Sequence, residues 1–282
     1  MQNIQERIPL PNGTSIPCLG FGTWRTPDAQ ATACVAAALQ AGYRHIDTAA
    51  IYGNERAVGE GIIASGVPRS EIFLTTKLWN ADQGYQTTLA ACDESLRRLQ
   101  TDYVDLYLIH WPYDHLCFSN WEEKNIETWS AFEELYKAGK VRAIGLSNFL
   151  PHHIENLRKH WTIQPMVEQI ELHPGMTQAE TVAYCRSLGM VIEGWSPMGS
   201  GKVFSVPEMQ ALARKYGRSI AQICIRWSVQ HGFIPLPKTA TVARVAENAQ
   251  VFDFTIDTDD MALLDNMTAC GWSGLHPDRL HF

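Results

Sequence analysis

The feature that most constrains the fold of this chain is an eightfold alternation between short apolar runs and longer amphipathic segments. The apolar runs have the length of β-strands, and they are Cys18–Thr23, His45–Thr48, Phe73–Leu78, Val104–His110, Val141–Ser147, Met166–Leu172, Met190–Trp195 and Phe233–Pro237. The amphipathic segments have the length of helices, and they are Asp28–Ala41, Glu55–Ser65, Tyr85–Leu99, Glu122–Ala138, Pro151–His160, Gln178–Leu188, Ser219–Gln230 and Val242–Gln250. Strands that alternate with helices indicate βαβ units and a parallel sheet. Eight such units of about 30 residues fit a closed barrel, so we predict an α/β fold in which residues 1–282 form one (β/α)8 TIM barrel domain.

An open, doubly wound parallel sheet is the alternative architecture. Such a sheet usually carries the motif G-x-G-x-x-G after its first strand. The corresponding segment here, Gly20–Arg25, has no third glycine. The chain also has no linker, no low-complexity tract and no break in composition. These observations favour the barrel and a single domain.

An N-terminal hairpin is predicted over residues 8–17. Asn12 and Gly13 favour a type I′ turn, because both central positions of that turn need a positive φ. Proline occurs on both arms of the hairpin, which is typical of an edge or a cap rather than of a central strand.

Four residues are predicted to begin or end helices. Gly139 and Gly189 follow helical segments and suit the left-handed conformation that ends many helices. Ser205 and Ser219 precede helical segments and are predicted N-terminal starts.

Charge and cysteine content exclude several functional classes. The formal net charge is −7, whereas nucleic-acid binders usually carry a basic face. The seven cysteines are odd in number and form no C-x-x-C, which is typical of a reduced intracellular protein. The first residues lack the apolar region of a signal peptide, and no window approaches the ~18 apolar residues of a membrane span. We therefore expect a cytoplasmic protein with no nucleic-acid partner and no membrane partner.

Polar residues follow three successive predicted strands. Asp47, Lys77 and His110 end the second, third and fourth strands, and Tyr52 lies on the loop after the second. The C-terminal strand ends of a barrel converge on one mouth, where active sites lie. We therefore expect these four side chains to meet.

Together these residues suit proton donation to a carbonyl oxygen. A free tyrosine has a pKa near about 10, and a neighbouring ammonium lowers it. Lys77 can supply that ammonium, Asp47 can anchor the lysine, and a neutral histidine can orient the carbonyl. Taken singly, each residue has a simpler interpretation: a helix cap or ion-pair partner, a packing tyrosine, a solvated lysine and a buried histidine. Their conjunction at successive strand ends favours function.

Three segments resemble the signatures of the aldo-keto reductase family. The first is Gly42–Ala49 with Glu55 and Gly59 in register, the second is Arg142–Phe149, and the third is Leu236–Thr239 with Arg244, Glu247 and Asn248. The resemblance implies a (β/α)8 barrel that reduces aldehydes and ketones with a nicotinamide cofactor. It also implies roles for the four polar residues: Tyr52 is the general acid, Lys77 and Asp47 lower its pKa, and His110 orients the substrate carbonyl.

The same resemblance implies a cofactor site. Its residues are Gly22, Thr23, Ser147, Asn148, Gln169, Trp195, Ser196, Pro197, Met198, Gly199, Lys238, Thr239, Arg244, Glu247 and Asn248. Trp195 takes a position where many members have a stacking tyrosine. Two cations and a hydroxyl at the last helix suit a 2′-phosphate, and so NADPH rather than NADH. Taken alone, the amides are equally consistent with buried polar residues that satisfy loop backbone.

A P-loop is the competing interpretation of Gly201–Lys202. Val203 stands where serine or threonine must bind Mg²⁺, so this interpretation fails. No metal site is predicted, because His152 and His153, like His110 and His115, lack carboxylate or cysteine partners at ligand spacing.

The substrate walls are predicted to be aromatic. Trp24, Trp79 and Trp111 follow the first, third and fourth strands and suit a small carbonyl compound. Asp82, Asp114 and His115 are weaker candidates for the rim.

The short tail at residues 269–282 resembles the bacterial subgroup of 2,5-diketo-D-gluconate and methylglyoxal reductases. This resemblance implies an open pocket for aldehydes and α-dicarbonyls, which Trp272 can still reach.

Three functions compete at this point. The first is an NADPH-dependent carbonyl reductase, expected to act as a monomer. The second is a cofactor-binding regulatory subunit with weak or no turnover, and the intact set of four polar residues argues against it. The third is a barrel hydrolase or isomerase with coincidental motifs.

Overall fold

Eight parallel strands form the centre of the protein. A computed structural model describes residues 1–113, 119–268 and 270–279. The strands are β3 (Phe21–Gly22), β4 (His45–Asp47), β5 (Phe73–Leu78), β6 (Leu106–Ile109), β7 (Ile144–Ser147), β8 (Val167–Glu171), β9 (Val191–Trp195) and β10 (Ile234–Pro235). They pair in chain order from β3 to β10. The predicted (β/α)8 fold is confirmed.

Backbone contacts between the first and last strands close the barrel. Gly22 and Lys238 form a parallel bridge, and the Gly22 amide donates to the Pro237 carbonyl at 3.1 Å. A side chain on Gly22 would approach the Leu236 carbonyl to 3.0 Å. Glycine is therefore the residue that allows the two strands to meet here.

Helices form the outer layer. They are α1 (Asp28–Gln40), α2 (Glu55–Ser65), α3 (Tyr85–Leu99), α4 (Trp121–Lys137), α5 (Pro151–Arg158), α6 (Ala179–Ser187), α7 (Pro207–Tyr216), α8 (Ile220–Gln230), α9 (Val242–Ala249) and α10 (Thr258–Asp265). Every residue of β5 and β6 is buried, which explains why β6 is an unbroken apolar run and why neither strand alternates between apolar and polar residues. None of the helices in the described residues has both the length and the hydropathy that a membrane span requires.

The N-terminal hairpin is present, but the predicted type I′ turn is wrong. Strands β1 (Arg7–Pro9) and β2 (Ser15–Pro17) pair antiparallel. Gly13 has a φ of +83°, whereas Asn12 is outside the left-handed region, and the Gly13 amide donates to the Leu10 carbonyl at 3.0 Å. The turn is therefore centred on Pro11 and Asn12, since proline holds φ near about −65° at the first central position. Gly13 follows it as the left-handed residue.

Three of the predicted helix boundaries are confirmed. Gly139 and Gly189 follow α4 and α6 with a φ of +76° each. The Ser219 hydroxyl accepts a hydrogen bond from the Gln222 amide, and the Gln222 side chain accepts one from the Ser219 amide. This reciprocal capping box begins α8.

The predicted start at Ser205 is wrong. Helix α7 begins at Pro207, directly after Val206, with no side-chain cap. The Ser205 hydroxyl instead donates to the Lys202 carbonyl at 3.1 Å, inside the preceding 3-10 segment. Proline suits the first helical position without a cap, because its φ is already helical and it has no amide hydrogen to satisfy.

Candidate active site

One large cavity opens at the C-terminal ends of the strands. Its volume is about 810 Å³, and it is lined by Asp47, Tyr52 and His110 among others. Lys77 lies directly beneath, with its ammonium on Asp47. The structure therefore brings together the four residues expected from successive strand ends.

Asp47 and Lys77 form a buried ion pair. The Lys77 ammonium donates to both carboxylate oxygens of Asp47, at 2.7 and 2.8 Å, and to the Thr48 carbonyl at 2.9 Å. Burial opposes the charge on Lys77, but Asp47 and Tyr52 outweigh it and raise the lysine pKa. Lys77 is therefore a permanent cation at a fixed position.

The Lys77 ammonium lies 3.5 Å from the Tyr52 hydroxyl. A short 3-10 helix, Ala50–Tyr52, follows β4 and places the tyrosine beside the Lys77 ammonium. The expected fall in the tyrosine pKa is not found: burial raises it above its ordinary value, Lys77 lowers it, and the charge of Asp47 raises it further. Desolvation exceeds the effect of the cation, because a buried phenolate loses its hydration.

His110 follows β6 and faces Tyr52 across the cavity. The two rings meet edge to face with centroids 5.6 Å apart, and Trp79 contacts the imidazole in the same way at 5.5 Å. Burial and the Lys77 charge hold the pKa of His110 well below its ordinary value. The imidazole is therefore neutral and can hydrogen-bond a carbonyl without adding charge.

A further polar layer lies beneath the ion pair. The Gln169 amide donates to Asp47 at 3.0 Å and to Glu193 at 2.9 Å. His45 is fully buried beside Glu193, and its imidazole contacts the Thr75 hydroxyl at 3.0 Å. No role was predicted for Glu193 or His45: each is an ionisable residue in a short, mainly apolar run, but nothing in the sequence shows which groups it contacts.

Most residues of the predicted cofactor site line the cavity. These are Gly22, Ser147, Asn148, Gln169, Trp195, Ser196, Pro197, Met198, Lys238, Thr239, Arg244, Glu247 and Asn248. Thr23 is outside the lining, and its buried hydroxyl donates to the Asp47 carbonyl at 3.0 Å. Gly199 is also outside it and packs on Gly271 of the tail, so closely that a side chain would lie 2.9 Å from the Gly271 backbone.

Hydrogen bonds fix the side chains at the end of the cavity where Ser147, Asn148 and Gln169 lie. The Asn148 side chain donates to the His110 carbonyl at 2.9 Å and accepts from the Trp195 indole at 2.8 Å. Asn148 has a φ of +64°, a left-handed conformation that asparagine tolerates better than most residues. The Ser147 hydroxyl donates to the Gln169 carbonyl at 2.8 Å.

Two cations lie at the opposite end of the cavity. Lys238 and Arg244 line it, and neither takes part in any ion pair between residues that the structure describes. Thr239 is buried beside them. Two cations without an acidic partner at a helix start form a suitable site for a phosphate group.

The predicted aromatic walls are present. Trp24, Trp79 and Trp111 all line the cavity. Trp272 lies instead in a smaller adjoining cavity of about 140 Å³, while Leu275 of the same tail borders both. The tail therefore reaches the site through Leu275.

Sequence reasoning missed part of the rim. Arg25, Ile51, Phe204 and Leu275 also line the cavity. They lie on loops and in the tail, where no strand periodicity predicts which way a side chain points. Arg25 follows Trp24 directly, and its guanidinium packs over the indole at 4.3 Å. Of the weaker candidates, Asp82 ends a 3-10 helix outside the cavity lining, while Asp114 and His115 lie outside the described residues.

One argument against a metal site is wrong. The structure does bring a carboxylate to the histidine pair: Asp278 lies 2.9 Å from His152 and 3.0 Å from His153. The His153 Nδ1 atom accepts a hydrogen bond from the Leu150 amide at 3.1 Å, so in the neutral ring the proton is on Nε2, the atom that faces Asp278. A metal ion would need that nitrogen unprotonated. We retain the prediction of no metal.

Comparison with known proteins gives a consistent result. The sequence profile described as "Aldo/keto reductase family" matches residues 18–269. A glyoxal reductase of Bacillus subtilis is 46% identical over 281 residues, which cover 99% of each chain.

Solved structures agree in fold. A point mutant of a protein called Gox0644, solved in complex with NADPH, superposes with a TM-score of 0.91 at 40% identity and 99% coverage of both chains. A putative 2,5-diketo-D-gluconic acid reductase B superposes with a TM-score of 0.85 at 40% identity, covering 91% of this chain and 89% of its own.

Proposed function

The chain belongs to the aldo/keto reductase family, and on that premise we propose that it reduces aldehydes and ketones to alcohols with NADPH as the hydride donor. The observation that carries the proposal is the buried contact of Lys77 with both Asp47 and Tyr52 at the base of the cavity. A phenol beside a fixed ammonium is a proton donor for a carbonyl oxygen.

The cavity residues fit the cofactor at both ends. Lys238 and Arg244, which lack acidic partners among the described residues, would hold the 2′-phosphate, with Thr239 beside them. Ser147, Asn148 and Gln169 would hold the carboxamide, and the Trp195 indole would stack on the nicotinamide. When bound, NADPH supplies the hydride that reaches the carbonyl carbon.

Tyr52 gives its proton to the carbonyl oxygen. Its raised pKa keeps it protonated over the physiological range, and Lys77 stabilises the negative charge that remains on the phenol oxygen. Neutral His110 orients the same carbonyl by a hydrogen bond. Asp47 acts as the anchor of Lys77 rather than as a base, since both of its oxygens are occupied by the ammonium.

The substrate class follows from the walls and the relatives. Trp24, Trp79 and Trp111 enclose the carbonyl position with flat apolar faces, which suits small aldehydes, α-dicarbonyls and keto-sugars. The similarity to a glyoxal reductase supports α-dicarbonyls in particular. We further propose that the chain acts as a monomeric, single-domain protein of the cytoplasm.

An NADPH-consumption assay with methylglyoxal, glyoxal, glyceraldehyde, xylose and diketogluconate tests this function. Wild type should turn over at least one of these, and Tyr52→Phe should lose turnover by about 10²–10⁴-fold while its tryptophan fluorescence is still quenched on binding NADPH. Binding without turnover of any member of the panel would favour the regulatory subunit. No binding would favour the hydrolase or isomerase.

A further inference from the structure

A second carboxyl group lies beneath the catalytic ion pair. Glu193, on β9, is completely buried. Its Oε2 atom accepts a hydrogen bond from the Gln169 amide at 2.9 Å, and the same amide nitrogen donates to Asp47 at 3.0 Å. A single amide therefore joins the carboxyl groups of Glu193 and Asp47.

Within the part of the chain that the structure describes, Lys77 is the cation beside both carboxyl groups, and its donors are fully occupied. The Lys77 ammonium is within hydrogen-bond distance of Asp47, the Thr48 carbonyl and the Tyr52 hydroxyl. These acceptors take up its three donors, and it makes no hydrogen bond to Glu193. Two carboxylates that share one buried cation cannot both remain charged at low cost. Asp47 has the direct contact, so Glu193 is the group that holds a proton.

The surroundings of Glu193 agree with this assignment. Its Oε1 atom has no hydrogen-bond donor among the described residues, which a buried carboxylate would tolerate poorly. His45, on β4, lies 3.6 Å from that oxygen, but burial and the nearby Lys77 lower the histidine pKa to about 3. His45 is therefore no counter-ion. Burial, together with the charge of Asp47, raises the pKa of Glu193 to about 8.

We propose that Glu193 is a positioning residue of the proton-donating site, which supports the Asp47–Lys77 pair through Gln169 only while it is uncharged. The inference rests on the proposed carbonyl reduction. When Tyr52 gives up its proton, Lys77 must balance the new phenolate. An ionised Glu193 adds a competing negative charge beneath the same lysine, so proton donation slows when Glu193 loses its proton.

The test compares two isosteric variants over about pH 6 to about pH 10. Glu193→Gln preserves an oxygen acceptor for the Gln169 amide and removes the titration. Glu168→Gln is the matched control, because Glu168 is also completely buried with a raised pKa, yet it accepts from the Phe149 amide at 2.9 Å and makes no contact with Asp47 among the described residues.

The turnover of wild type and Glu168→Gln should fall by at least about tenfold across the alkaline range, and that fall should be absent in Glu193→Gln. Glu193→Met, a second uncharged variant, should behave likewise if the glutamine variant folds poorly. An identical alkaline fall in wild type and both Glu193 variants would overturn the proposal.

A measurement on the cofactor-free protein separates this inference from the proposed function. Infrared spectra of wild type minus Glu193→Gln should show the carbonyl stretch of a protonated carboxyl group at neutral pH, and the band should vanish as the pH rises. Absence of the band would overturn the inference even if the protein turns over substrates. If the band is present but no carbonyl compound is reduced, the proposed function fails while the charge state of Glu193 stands.

Discussion

At Tyr52 the protein places a phenol under two opposing influences. Burial raises its pKa, and Lys77, whose ammonium lies 3.5 Å from the hydroxyl, lowers it. The first keeps the proton on the phenol at rest, and the second stabilises the oxygen once the proton has left. A proton donor in this environment stays protonated until a carbonyl oxygen nearby develops negative charge.

Arg244 provides the sharpest test of cofactor choice. Arg244→Ala should raise the NADPH dissociation constant by about 10–100-fold, because charge-assisted hydrogen bonds contribute about 1.5–3 kcal/mol. The NADH dissociation constant should hardly change. Fluorescence titration of both cofactors measures the two constants.

The matched control is Arg214→Ala, since Arg214 is exposed near the end of α7 and does not line the cavity. It should bind both cofactors as wild type does. Equal weakening of NADPH and NADH in Arg244→Ala would contradict the phosphate contact.

Single residues were predictable where a strand carried them. Asp47, Lys77 and His110 could be assigned because parallel strands end at one mouth, so positions far apart in the chain become neighbours. Glu193 could not, because its contact with Gln169 depends on which face of β9 points inward, and an apolar run buried on both faces shows no alternation. The raised pKa of Tyr52 depends on burial, which no motif reports.

At the scale of elements, the tail at residues 270–279 is attached to the barrel by several polar contacts. The amide and hydroxyl of Ser273 both donate to Glu171, at 2.9 and 2.7 Å. The Lys202 ammonium donates to the Trp272 carbonyl at 2.6 Å. Lys202 lies in the 3-10 segment Gly199–Ser205, beside the predicted cofactor loop, so the tail and this loop are directly connected.

Removing the Ser273 hydroxyl should affect the substrate rather than the cofactor, because the contact of Lys202 with the Trp272 carbonyl beside the cofactor loop is retained. In Ser273→Ala one of the two hydrogen bonds to the buried Glu171 is lost, which costs about 1–3 kcal/mol because a buried acceptor oxygen loses its donor. Since Leu275 borders the substrate cavity, the KM for methylglyoxal should rise several-fold, and the NADPH dissociation constant should stay unchanged. Steady-state kinetics and fluorescence titration separate the two constants.

Ser187→Ala is the control, because the Ser187 hydroxyl is exposed and bonds only its own helix, at the Tyr184 carbonyl, among the described residues. An unaltered KM in Ser273→Ala would show that the tail takes no part in substrate binding.

The limits of helices and strands were predictable where the spacing of apolar residues alone determined them. The limits of α2, α3 and β5 agree with those expected from apolar spacing. The hairpin turn differed because Pro11 competes with the Asn12–Gly13 pair for the turn centre. The start of α7 differed because the Ser205 hydroxyl bonds backward to Lys202. Both differences arise from one local contact that outweighs a general preference.

At the scale of the whole molecule, the barrel buries several ionisable groups in their neutral forms. Glu193 and Glu168 have raised pKa values because of burial. His45 and His110 have lowered ones, again because of burial and the nearby Lys77. The folded state therefore opposes the loss of a proton from the glutamates at alkaline pH and the gain of a proton by the histidines at acidic pH.

Stability should decrease as the pH rises above mildly acidic values. The stabilising contribution of a neutral Glu193 is complete below its ordinary pKa of 4.5 and is lost as the pH rises through about 8. For one such group the loss is about 1.4 kcal/mol per pH unit within that window. Denaturant unfolding of the wild type should show this slope above about pH 6.5, where the contribution of His45 is complete and no longer offsets it, and Glu193→Gln should reduce it. Equal slopes in the two proteins would contradict a buried neutral carboxyl group.

Stability should also fall toward acidic pH, and this fall has a different origin, since it comes from a histidine. His45 has a folded pKa lowered from 6.5 to about 3, so its contribution is complete above 6.5 and is lost as the pH falls toward 3. The contributions of Glu193 and His45 together place the maximum of the unfolding free energy on the mildly acidic side of neutrality.

The architecture as a whole was predictable because eight strand–helix units impose it. The barrel closure between Gly22 and Lys238 and the path of the tail were less accessible. Both depend on contacts between residues that are far apart in the chain, which no local pattern encodes.

Isotope transfer tests the central claim, reduction of a carbonyl by hydride from NADPH with Tyr52 as the acid. The protein would be supplied with methylglyoxal and NADPH that carries deuterium at both C4 positions of the dihydronicotinamide, and the product would be analysed by mass spectrometry. The account predicts an alcohol with one deuterium on the former carbonyl carbon, formed about 10²–10⁴-fold more slowly by Tyr52→Phe. A product without deuterium, or equal rates in the two proteins, would contradict it.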